Sequence, residues 1–202
     1  MAKHVYSYLA LGDSYTIGEG VPLFESFPYQ VVQQLRKQHI SMHAPEIVAK
    51  TGWTTFELAD YLINHSFNEH YDFVTLLIGV NNQYRGLSVT DYAEEFEFLL
   101  RKAIHFAGGN AGKVCVLSIP DWGCTPFAHG KHPEKIAPAI DAFNNAAEAL
   151  CLKYSVHFQD ITAFSRQTGK EKDMLAADGL HYSGKAYSEW ATGVASWMRK
   201  QA

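Results

Sequence analysis

Residues 5–15 read Val5-Tyr6-Ser7-Tyr8-Leu9-Ala10-Leu11-Gly12-Asp13-Ser14-Tyr15, a short apolar run that breaks off in Gly-Asp-Ser. A run of this length closed by a turn signal predicts a buried strand over 5–11. Similar runs predict strands over 46–49, 73–78 and 114–119, with a weaker fifth over 156–159. Helical patterns fill the intervals. The clearest spans 88–106, where Tyr92, Phe96, Leu99, Leu100 and Ala103 share one face and Ser88 is placed to cap the first turn. Thr54 with Glu57 three residues later announces another helix by a capping-box pattern. Helices over 26–38, 139–154 and 183–199 complete the set.

Strands that alternate with helices need crossover connections, so the expected fold is an α/β three-layer α/β/α sandwich. Its sheet is mainly parallel, five-stranded and flavodoxin-like. At 202 residues the chain suits a single domain over 1–202. A formal net charge of −4 with no Lys/Arg run argues against nucleic acid as a partner. No stretch approaches the roughly 18 apolar residues of a membrane span. The start, Met1-Ala2-Lys3-His4, lacks the pattern of a secretory signal. Cys115, Cys124 and Cys151 are an odd count without Cys-x-x-Cys spacing, which suggests reduced thiols and, with the missing signal, a cytoplasmic protein.

In a parallel sheet the ligand crevice lies beyond the carboxyl ends of the strands, so chemistry is sought there. Ser14 follows the first strand; a serine hydroxyl attacks a carbonyl only with a base and oxyanion donors at hand. Near the other end, Asp178-Gly179-Leu180-His181 puts an acid three residues before an imidazole, a spacing that lets the carboxylate fold back onto the ring N–H. Gly52 follows the second strand and Gly79-Val80-Asn81-Asn82 the third. A glycine admits a substrate oxygen close to the backbone N–H, and Asn offers an NH2 donor. Either segment alone reads more readily as a turn at the end of a strand, with Asn in a left-handed conformation.

In this order, at successive strand exits and before the last helix, these segments resemble the SGNH (GDSL-type) hydrolase family. The resemblance implies Ser14 as nucleophile, His181 as base, Asp178 as its partner, and Ser14, Gly52 and Asn81 as the oxyanion hole. It also implies an acyl-enzyme mechanism on a small-molecule ester without metal or other cofactor. The third block departs from the usual pattern: Asn82 stands where many members carry Asp, which bears on the shape of the substrate pocket.

Asp13 is expected to shape the nucleophile turn. Trp122 and Phe127, after the fourth strand, either line the pocket or cover the edge of the core. Tyr84 and Arg85 lie just beyond Asn81, and Trp53 beside Gly52, so each is a candidate pocket residue or an exposed loop residue. His129 and His132 lack an attendant carboxylate or cysteine, and no metal is expected there. With few long insertions to build a lid, small acyl groups are the expected substrates. O-acetylated carbohydrate is one case, with Trp53, Tyr84 and Trp122 as stacking rings, and lysophospholipids or thioesters are the alternatives for the same site. Outside enzymes, the alternative is an α/β small-ligand-binding module with an inactive site.

Overall fold

The computed structural model describes residues 4–202; Met1 to Lys3, part of the chain's start as read above, lie outside the described residues. Strands β1 (Tyr8–Gly12), β2 (Glu46–Ala49), β3 (Phe73–Leu77), β4 (Val114–Leu117) and β5 (His157–Gln159) form one sheet in the order β2-β1-β3-β4-β5. Each neighbouring pair is parallel. This is the flavodoxin-type order of a doubly wound sheet, and its topological switch point falls between β1 and β3. Both strands are buried along their whole length, as apolar runs without alternation require when helices cover both faces.

The helices are α1 (Ser14–Ile17), α2 (Phe27–Lys37), α3 (Thr55–Asn64), α4 (Val80–Tyr84), α5 (Val89–Phe106), α6 (Pro133–Tyr154), α7 (Thr162–Thr168) and α8 (Gly184–Gln201). α2 packs on α8, whereas α5 packs between α3 and α6, giving one helical layer on each face. The caps read from sequence are in place. Ser88 accepts the Asp91 N–H, and Thr54 forms a reciprocal capping box with Glu57.

Three expectations are corrected. β1 starts at Tyr8 because Tyr6 instead makes an isolated bridge to Met42. α6 begins at Pro133, well before residue 139, because a proline at the first helical position has its N–H unused anyway and its φ already set. Asn81 is not in a left-handed turn but in the first turn of α4.

One aromatic cluster fixes the site to the scaffold. Trp190 of α8, nearly inaccessible to solvent, meets Phe27 of α2, Tyr15 of α1, and Tyr182 and Tyr187 around the start of α8. Tyr15 in turn packs 5.5 Å from the His181 ring. Buried aromatics of this kind typically contribute about 3–5 kcal/mol each when truncated to alanine. The segments bearing Ser14 and His181, far apart in sequence, are therefore held by the same core.

Candidate active site

β1 ends at Gly12, and Asp13 caps the short helix α1 by accepting the Tyr15 N–H at 3.0 Å, which leaves Ser14 in the first turn at the sheet's carboxyl edge. Burial pushes the Asp13 carboxyl up to about 7, against the pull of the Tyr15 N–H. The segment carrying His181 is closed by an Ala176 N–H to His181 carbonyl bond of 2.8 Å and by a bridge between Leu175 and Tyr182. Ser183 then starts α8 as its N-cap.

These two segments meet. His181 Nε2 lies 3.0 Å from Ser14 Oγ, and its Nδ1 lies 2.6 Å from Asp178 Oδ2. The other Asp178 oxygen accepts the N–H groups of Leu180 and His181, at 2.9 and 3.0 Å. Burial works to raise the Asp178 carboxyl, but the bonds from the His181 ring and these two amides outweigh it and hold it below its ordinary value. Asp178 is thus held as an anion placed to accept a hydrogen bond from Nδ1, an arrangement in which Nε2 would be the nitrogen able to take a proton from the serine.

Gly52 follows β2 with φ at +81°, a left-handed conformation that favours glycine. Arg85 clamps its carbonyl with Nη2 at 2.5 Å while Nη1 pairs with Glu57 at 2.9 Å. The Asn81 amide donates one hydrogen to the Trp53 carbonyl at 2.9 Å, which anchors the side chain and leaves its second N–H available. Asn82 is buried and faces away from the pocket. It accepts the Thr55 N–H at 3.1 Å and donates to the Thr55 hydroxyl at 2.6 Å.

A pocket of about 170 Å³ opens over Ser14 and His181, lined also by Gly52, Asn81, Tyr84, Trp122 and Phe127. Trp122 is buried and gives its indole N–H to Gln83, whereas Tyr84 is exposed and meets it edge-on at 5.3 Å. Trp53 and Arg85, expected at the pocket, are placed beside it. Trp53 packs on Tyr61 at 5.0 Å, and Arg85 is taken up by Gly52 and Glu57. Tyr15, Thr51, Val80 and Leu180 line the pocket without having been singled out from sequence.

Glu19 was missed as well. Its Oε2 lies 3.9 Å from His181 Nε2 and accepts the Thr51 hydroxyl. The signal available was Gly18-Glu19-Gly20, a turn that brings the chain back over the serine. His132 bonds to Glu134, and among the described residues no group of His, Cys, Asp and Glu side chains could hold a metal ion.

Comparison with known proteins places the chain in a family. The profile of the GDSL-like lipase/acylhydrolase family matches residues 10–188. The chain belongs to that family. It is accordingly an ester-hydrolysing enzyme. No curated protein sequence matches it. Similar solved structures include a lipase/acylhydrolase from Enterococcus faecalis at 19% identity and TM-score 0.78, covering 98% of this chain and 97% of that one. An esterase from Pseudoalteromonas, solved inhibited by monoethylphosphonate, is 16% identical with TM-score 0.71 over 96% and 97%. An acetyl-xylooligosaccharide esterase from Geobacillus is 16% identical with TM-score 0.74 over 98% and 96%. At these identities the likeness is one of fold. Among the described residues of this GDSL-family chain, no helix is long and apolar enough to cross a membrane.

Proposed function

We propose that the chain is a serine esterase acting through an acyl-enzyme on Ser14. The observation that carries this reading is the continuous contact from Asp178 through His181 to Ser14, at 2.6 and 3.0 Å. His181 accepts the Ser14 proton as Oγ attacks the ester carbonyl, and Asp178 stabilises the imidazolium that forms. The tetrahedral oxyanion is held by the backbone N–H groups of Ser14 and Gly52 and by the Asn81 amide. Loss of one such donor typically costs about 3–4 kcal/mol of barrier. His181 passes its proton to the leaving alcohol, and water activated by the same ring then releases the acid.

A small acyl group fits best, because the pocket's 170 Å³ lies below the roughly 300–1,000 Å³ usual for drug-sized ligands. Of the three rings suited to stack on a sugar, Tyr84 alone is exposed at the pocket, which weakens the carbohydrate case. The three cysteines are free, which supports a reducing, cytoplasmic setting. The test is hydrolysis of p-nitrophenyl esters from acetate to laurate. The expected result is a preference for the short chains that disappears in Ser14→Ala. A preference for laurate would refute the small-acyl assignment, and turnover surviving Ser14→Ala would refute the nucleophile.

A further inference from the structure

We infer that Glu19 is a specificity-determining residue that reads the charge of the leaving alcohol, favouring esters whose alcohol carries a cation over neutral esters of the same shape. The inference rests on the proposed serine-esterase reading and deepens it. When His181 hands its proton to the leaving oxygen, that oxygen must lie within hydrogen-bond reach of Nε2. Glu19 Oε2 is 3.9 Å from the same nitrogen, which bounds the leaving oxygen to within about 7 Å of the carboxylate. Glu19 stands beside the pocket, bonded to Thr51 of its lining, so an alcohol portion that leaves on the Thr51 side of His181 passes the carboxylate.

The carboxylate is held in place rather than swinging freely. Gly18 turns the chain at φ +74°, the Glu19 N–H bonds the Ser14 carbonyl at 3.0 Å, and the Thr51 hydroxyl donates to Oε2. About a third of the Glu19 side chain remains exposed, so a substrate group can reach it. Its charge has no fixed counter-ion. Among the described residues the His181 ring is its one ion-pair contact. Arg85 is committed to Glu57 and Gly52, while Lys131 sits over the Phe127 ring. The nearby Asp178 adds a second negative charge on the far side of the imidazole. A quaternary or protonated amine a few atoms from the ester oxygen therefore meets an unneutralised anion, and a phosphate or carboxylate in that position is repelled.

A purely structural role, in which Glu19 only steadies Thr51 and the adjacent Gly52, predicts no dependence on substrate charge. Glu19→Gln separates the two, because the amide oxygen still accepts the Thr51 hydroxyl while the charge is gone. The experiment measures kcat/KM for acetylcholine and for 3,3-dimethylbutyl acetate, its uncharged isostere, in the native enzyme and in Glu19→Gln. The cation-to-neutral ratio is expected to fall about three- to tenfold in Glu19→Gln, the size of one unit charge at 6 Å or so in a largely hydrated site. In the native enzyme the same ratio should shrink as salt is raised. Equal ratios in the two proteins, or loss of both activities together in Glu19→Gln, would overturn the inference. The underlying reading is checked separately by Ser14→Ala: abolished turnover of both esters with an unchanged charge ratio in Glu19→Gln would sink the inference about Glu19 alone.

Discussion

Asp178 shows how much a single proton decides. Its Oδ1 holds two backbone N–H groups and its Oδ2 faces His181 Nδ1. Replacement by asparagine preserves the amide contacts through its carbonyl oxygen, yet turns an NH2 toward Nδ1. The imidazole must then carry its proton on Nε2 and cannot accept one from Ser14. Asp178→Asn is expected to fold normally and to lose about 10⁴-fold in kcat, as comparable triads do when the tautomer is wrong. A circular-dichroism melt and p-nitrophenyl acetate kinetics check both halves, and a loss of less than tenfold would contradict the role. Ser14, Asp178 and His181 were legible because their chemistry fixes residue type and short-range spacing. Glu19 and Thr51 were not. What brings their side chains to the histidine is the turn at Gly18 and the fold of the loop after β2, neither of which leaves a periodic trace in the sequence.

Among the elements, α4 illustrates how the site is positioned by hydrogen bonds that the sequence does not advertise. Asn81 ties α4 to the loop after β2, while Asn82 ties it to the first turn of α3. The Thr55 hydroxyl accepts from Asn82 and donates to Glu95 of α5, so one hydroxyl group links three helices in sequence. The amide that departs from the usual Asp is thus a buried connector and does not shape the pocket directly. Asn82→Asp would present the Thr55 hydroxyl with two carboxylates and a single proton. The variant is expected to lose about 1–3 kcal/mol of stability at neutral pH, with part restored by Glu95→Gln, because an unpartnered buried polar group costs that much. Urea denaturation of the single and double variants measures it, and additive effects would contradict the link. The longer helices were readable from apolar periodicity. α7 and the start of α6 escaped because the first is short and polar, and the second opens on Pro133 behind a turn-like His-Gly-Lys-His.

At the scale of the whole molecule, burying Asp13 couples folding to pH. Its carboxyl ionises near 4 in an unfolded chain but is pushed up to about 7 in the native one. Between those values the native state holds a proton that the unfolded state has lost, so this group's contribution to stability falls as pH rises from 4 to 7 and then levels off. Asp13→Asn keeps an oxygen for the Tyr15 N–H and removes the titration. Measured by urea denaturation, the stability of Asp13→Asn relative to native should improve by about 2–3 kcal/mol between pH 5 and pH 8. A difference that stays constant across that range would contradict it. The parallel, doubly covered sheet follows from strand–helix alternation and the crossovers it demands. The aromatic cluster around Trp190 does not, because residues from α1, α2, α8 and the histidine loop converge there through packing over long sequence separations.

The central claim is that Ser14 is a nucleophile activated by His181. Its most direct measurement is the intact mass of the protein after exposure to a fluorophosphonate, for the native chain, Ser14→Ala and His181→Ala. A single stoichiometric adduct mapping to Ser14 in the native protein, absent from Ser14→Ala and slowed by orders of magnitude in His181→Ala, is the predicted result. An unlabelled native protein, or labelling that persists in Ser14→Ala, would contradict it.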